Sequence, residues 1–106
     1  MAKIFDTYCA NVDSLEAARA LIEAAMPVRL VLHESMYWGG LYYLAETKEY
    51  GRIAVRPNFN SFTGKLNESR FPSCRFIVSV SKPADPDALK SQLVAAGIEF
   101  LERNVV

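Results

Sequence analysis

Two short amphipathic helix patterns, each preceded by an alternating strand pattern and each stopped by a helix-breaking residue, constrain this chain most strongly. The first follows the turn Asn11-Val12-Asp13-Ser14. There Asp13 is placed to cap a helix, and Glu16 to complete a capping box. Leu15, Ala18, Leu21, Ile22, Ala25 and Met26 then recur at helical spacing, with Glu16, Arg19 and Glu23 facing outward. Pro27 ends the run, because proline disfavours helical geometry in the residue before it. The second helix starts at Asp85-Pro86-Asp87, with a capping acid, proline at the first helical position and a further acid near the positive helix end. Leu89, Leu93, Val94 and Ala96 form its apolar side, and Gly97 supplies a left-handed cap.

The segments around the helices alternate with a period of two. Lys3 to Ala10, Val28 to Glu34, Leu41 to Glu46, Arg52 to Arg56, Cys74 to Ser81 and Ile98 to Val106 read as strands. Gly39-Gly40 and Thr47 to Gly51 mark the turns between the middle ones. The order is β-α-β-β-β-β-α-β, read as two β-α-β units (residues 3–34 and 74–106) around an inserted hairpin and a long loop. This is an α+β chain whose expected architecture is a ferredoxin-like sandwich, with two helices on one face of a mixed or antiparallel sheet. The other face is expected to be open unless the loop Pro57–Ser73 or a partner covers it.

At 106 residues the chain fits one domain, residues 1–106, and it is half apolar, so a packed core is within reach. Its formal charge is zero, which argues against bulk electrostatic binding of nucleic acid or an anionic membrane. The charge is nevertheless uneven. Lys48, Arg52, Arg56, Lys65, Arg70, Arg75 and Lys82 make the middle third basic, while both flanks are acidic. Either these charges pair across a folded surface, or they offer a cationic face to an acidic partner. The N-terminus has no signal-peptide pattern and no apolar run is long enough to span a bilayer, so a cytoplasmic protein is expected. Cys9 and Cys74 lie in apolar segments and are expected as free, partly buried thiols, with a disulfide the less favoured alternative.

Catalytic and metal-binding patterns are lacking. His33, the single histidine, adjoins Glu34 on a strand, where neighbours face opposite sides, so the two cannot act together on one atom. A zinc site built from histidine and cysteine has too few ligands, and no nucleophile elbow, P-loop or dinucleotide fingerprint occurs. No cofactor and no enzymatic activity are expected. His33, Glu34 and Glu68 are the residues an enzyme would have to use.

Binding is the better use of what is present. Tyr37, Trp38, Tyr42, Tyr43, Tyr50, Phe59 and Phe62 run from the Gly-Gly turn into the long loop, with Tyr42 and Tyr43 facing opposite ways. Such side chains serve first as core or sheet packing and, as the alternative, as interface anchors. Arg52, Arg56 and Asn58 accompany them on the strand that leads into the loop. Aromatics and arginines on an open sheet also suggest RNA, but the RNA-recognition signature is absent.

The stretch from Tyr37 to Lys82 resembles small bacterial immunity proteins of polymorphic-toxin and contact-dependent growth-inhibition systems. The matching elements are the aromatic strand pair Tyr42-Tyr43, Asn58 at a strand end, Glu68 before Phe71-Pro72, and then a strand over residues 75–82 with a short C-terminal helix. The resemblance implies a non-enzymatic antidote that binds one cognate toxin domain. Its contact residues would be Tyr37, Trp38, Tyr42, Arg52, Arg56, Asn58, Phe59 and Phe62. Many nuclease immunity proteins are acidic and this chain is not, which points away from a nuclease partner or moves the contact to the acidic flanks. The rival expectation is a small-molecule-binding or regulatory module acting as a homodimer through the open face.

Overall fold

A computed structural model describes residues 2–106. Six strands and two helices follow in the order β1 (Ile4–Ala10), α1 (Leu15–Ala25), β2 (Val31–Ser35), β3 (Gly40–Thr47), β4 (Gly51–Pro57), β5 (Phe76–Ser81), α2 (Pro86–Ala95) and β6 (Glu99–Val105). The strands form one open sheet in the order β2-β3-β4-β5-β1-β6, and every neighbouring pair is antiparallel. The chain is therefore α+β, as its pattern predicts. The pairing within the first expected unit differs: β2 does not lie beside β1 but forms the far edge of the sheet, held only by β3. Its residues Val31 to Glu34 are all exposed, as befits an edge.

Strand alternation sorts the side chains onto two faces. Tyr8 and Ala10 of β1, Tyr43 and Ala45 of β3, Ile53 and Val55 of β4, and Phe76, Val78 and Val80 of β5 point toward the helices. There they meet Ala18, Ile22 and Met26 from α1 and Leu89 and Leu93 from α2 in one core. Both helices thus lie on one face. Leu30 and Ile98, each in the segment joining a helix to the next strand, complete this core.

The start of α1 differs from its sequence reading in detail. Ser14, not Asp13, is the cap: its backbone is extended and its hydroxyl accepts the Ala17 amide at 3.0 Å. Glu16 does not close a capping box, because its carboxylate accepts from the Tyr43 hydroxyl and from Arg19. The second helix starts as predicted, with the Asp85 side chain accepting from Ala88 and Pro86 in the first turn. It ends at Gly97, whose φ of 90° lets the Ile98 amide turn back onto Leu93.

The reverse face carries a second, smaller apolar cluster of Cys9, Cys74 and Ile77, flanked by Phe71 and Leu101. The expectation of free thiols is overturned here. Cys9 and Cys74 form a disulfide with 5.8 Å between their Cα atoms, tying β1 to the end of the long loop across 65 positions of sequence. Cys9 pairs with Ile77 of β5, and Cys74, at the end of the loop that leads into β5, packs with both on the reverse face. With the thiols gone, the cysteines no longer favour a reducing compartment. No helix among the described residues is long and apolar enough to cross a membrane.

One charged group is buried on the helix face. Asp6 is 1% exposed and accepts two 2.9 Å bonds from Nε and Nη2 of Arg103, whose Nη1 continues to Asp87 at 2.9 Å. The neighbouring Tyr8 hydroxyl is buried without a partner, and burial, with the charge of Asp6, holds its phenol well above the usual tyrosine range.

Candidate functional site

The connection between β4 and β5 has no regular secondary structure beyond an Asn60–Lys65 bridge, so its backbone groups need other partners. Three asparagines supply them. Asn58 is 2% exposed; its amide donates to the carbonyls of Glu68, Phe71 and Cys74 at 3.3, 2.9 and 3.0 Å and its oxygen accepts the Glu68 amide at 2.6 Å. Asn67 donates to the carbonyls of Trp38 and Pro57. Asn60 donates to the Tyr37 carbonyl at 2.8 Å and accepts from the Phe62 and Thr63 amides.

Asn60 therefore joins two turns that are distant in sequence, one over residues 36–39 and the other over residues 61–64. Ser61 adds a 2.6 Å bond to the Gly39 carbonyl. Gly39 has no alternative here: its φ is 81°, and a Cβ at that position would overlap Asn60.

The joined turns frame a cavity of about 380 Å³ whose walls include Tyr37, Trp38, Arg56, Lys65, Leu66 and Glu68. At its floor lies Arg56, only 7% exposed. Its guanidinium stacks 4.7 Å from the centre of the Trp38 ring, and Nη1 donates to Ser79 Oγ on β5 at 2.7 Å. Trp38 meets Tyr42 edge-on at 4.7 Å, and Tyr42 stacks on His33 at 5.5 Å. An unbroken row of His33, Tyr42, Trp38, Arg56 and Ser79 so crosses the open face from the edge strand to β5.

The far side of Arg56 is less well served. Nη2 lies 3.7 Å from Glu68, beyond ordinary hydrogen-bond length, and Nε is buried with no partner. Glu68 itself is closer to Arg70, at 3.2 Å, and Arg70 holds Glu102 at 2.7 Å. Burial lowers the Arg56 guanidinium below the usual arginine range, and the charge of Glu68 offsets this only in part.

The structure brings together four of the eight residues singled out in the sequence: Tyr37, Trp38, Tyr42 and Arg56. Phe59 and Phe62 stand on the adjoining loop, 54% and 65% exposed. Arg52 does not join them. It is exposed at the other end of β4, opposite Glu46 and Ser81. Asn58 lies inside the loop with both ends of its amide occupied, so it organises the site rather than facing a partner. Asn60, Asn67 and Ser79 were not anticipated. Recurrent asparagines in a loop with no apolar period are the signal that could have found the first two.

The residues an enzyme would need do not converge. His33 and Glu34 pair with Tyr42 and Leu41 respectively and so point to opposite faces, while Glu68 is engaged by arginines. Among the described residues no group of three or more His, Cys, Asp or Glu side chains could hold a metal ion. No protein-family model matches the chain, and no match is found among curated proteins or solved structures.

Proposed function

We propose that this chain is a non-enzymatic protein-binding module. In keeping with its sequence resemblance, it acts as an immunity protein that neutralises a cognate toxin domain by direct binding. The observation that supports this is the crowding of large exposed apolar side chains at one end. Met36 and Tyr37 are 78% and 85% exposed on the first turn, and Phe59 and Phe62 stand exposed on the loop that Asn60 clamps to it. Patches of this kind mark interaction surfaces. Behind them Trp38, Arg56 and the asparagine-clamped turns are already ordered, so little conformational freedom is left to lose on binding. Neither nucleic acid nor a membrane surface is needed as partner. The Cys9–Cys74 disulfide favours an oxidising compartment over the cytoplasm as the place of action.

We also infer a ferredoxin-like core. It consists of β4, β5, β1 and β6 with both helices, and the β2-β3 hairpin is an addition to its β4 edge. On this reading the added hairpin and the long loop, both foreign to the core, carry the binding surface.

The test is capture by the tagged chain at high salt, with the Phe59→Ala/Phe62→Ala double variant alongside. One stoichiometric protein, bound by the parent chain and lost from the double variant, is the expected result. Recovery of RNA, or only of the chain's own dimer, overturns the proposal. The alternative, a small-ligand module acting as a homodimer, draws support from the cavity beside Arg56. It predicts thermal stabilisation by a metabolite together with a dimer in solution.

A further inference from the structure

We propose that the cavity beside Arg56 receives a single carboxylate, contributed by an aspartate or glutamate side chain of the protein partner. The inference rests on the protein-binding reading and names the chemistry at its centre.

An arginine offers carboxylates a fork made of Nε and one Nη, which binds both oxygens at once. This chain contains a filled example: Arg103 places Nε and Nη2 on the two oxygens of Asp6 at 2.9 Å each. Arg56 presents the same fork unfilled. Its Nη1 is taken by Ser79, its Nε has no partner, and its Nη2 reaches Glu68 only at 3.7 Å. A buried donor without a partner is a standing cost that a bound acceptor would remove. Trp38 on one side and Ser79 on the other already fix the guanidinium, so an incoming carboxylate meets an aligned fork.

Glu68 stands at the entrance and is free to yield, because Arg70 holds it more closely, at 3.2 Å. A partner carboxylate takes its place on Nη2 and, as Glu68 swings out toward Arg70, reaches Nε, which is closed to solvent while Glu68 is in place. The charges favour a monoanion: Arg56 and Lys65 against Glu68 leave one positive charge unmatched among the charged residues of the wall. A phosphate dianion would reverse the sign of the site. Leu66, 38% exposed, and Tyr37 supply apolar rim for the methylene groups that precede a side-chain carboxylate.

The cleft beside α1 has no buried donor left without a partner. There Arg19 bonds both Glu16 and Glu23, Tyr43 donates to Glu16, and Glu23 accepts from the Leu30 amide.

Trp38 is the chain's only tryptophan and stacks on Arg56, so its fluorescence reports the site directly. The full chain is titrated at constant ionic strength with N-acetyl-glutamic acid α-amide, whose single charge is the side-chain carboxylate. Its glutamine counterpart and inorganic phosphate run in parallel. The expected result is a saturable emission change in roughly the millimolar range for the carboxylate, none for the glutamine compound, and about tenfold weaker binding of phosphate. Glu68→Gln, which removes the competing carboxylate, is expected to tighten binding several-fold. Arg56→Lys, which keeps the charge and loses the fork, is expected to weaken it about tenfold. Equal responses to carboxylate and phosphate, or no saturable response in either the parent chain or Glu68→Gln, overturn the proposal. Should Arg56→Lys not fold, Glu68→Gln decides the matter. The titration needs no protein partner, so its failure and the failure of the capture experiment are separately visible.

Discussion

Asp6 with Arg103 and Arg56 with Glu68 are two ion pairs of one small sheet, each with a buried member, and they are finished to different degrees. In the first, the carboxylate at 1% exposure receives both arms of a guanidinium, which stays partly exposed and continues to Asp87. In the second, the buried member is the arginine, and its carboxylate partner stands off at 3.7 Å and prefers another arginine. Desolvation is similar in kind, but only the first pair recovers it through geometry. The contrast separates a charge pair that closes the fold from one that keeps donors in reserve.

Breaking the finished pair is expected to have the largest effect. Arg103→Ala leaves Asp6 buried and uncompensated, and is expected to cost about 3–5 kcal/mol. Chemical denaturation of parent and variant reads this directly. A loss under about 1 kcal/mol would mean that Asp6 reaches water in the folded variant, and the contrast would dissolve.

The disulfide ranks next. It ties the loop that frames the Arg56 cavity to β1, next to the strand that carries Ser79. Closing a loop of this length restrains the unfolded chain, and Cys9→Ser/Cys74→Ser is expected to cost about 2–4 kcal/mol. Thermal unfolding with and without reductant provides the same comparison without mutation. A parent chain indifferent to reductant would show the loop to be held by its asparagines alone.

Asn58 measures that second means of support. Its side chain makes four hydrogen bonds to loop backbone in a site closed to water. Asn58→Ala is expected to cost about 1–3 kcal/mol, with rapid hydrogen exchange appearing at the Glu68 amide while the β1 amides stay protected. Equal loss of protection in both places would mean that loop and sheet unfold as one unit.

Much of this could be read in the sequence and some could not, for physical reasons. Ser14 and Asp13 are both good caps, so the helix start was readable only to within one residue, whereas Asp85-Pro86 leaves no such choice. Strand periods gave the faces of β1, β4 and β5, since alternation is local, but the place of β2 at the edge is a property of the whole sheet. Cys9 with Cys74 and Asp6 with Arg103 are contacts between residues 65 and 97 positions apart, which no local pattern encodes. The aromatic cluster at the site was visible as composition. That Arg56 would be buried under Trp38, while Arg52 four residues earlier remains in solvent, depends on the turn that Asn60 holds over one end of the strand and not the other.

The smallest expected effect is at the unfinished pair itself. Arg56→Met keeps an unbranched apolar stem, removes the guanidinium that stacks on Trp38 and donates to Ser79, and removes a buried donor that has no partner. Glu68 is not stranded by the change, because Arg70 remains beside it. Replacing a buried ion pair with hydrophobic side chains is often neutral or stabilising, and the cost of removing one member alone comes from stranding the other, which Arg70 prevents here. Stability is therefore expected to stay within about 1 kcal/mol of the parent chain in either direction. The same substitution is expected to abolish the Trp38 fluorescence response to the carboxylate probe. If instead Arg56→Met destabilises the chain as much as Arg103→Ala does, Arg56 belongs to the structural frame, and the distinction between a closed and an open fork fails. A stable variant with its response lost would assign the arginine to binding, because a residue whose removal leaves the fold intact is not there to hold the fold.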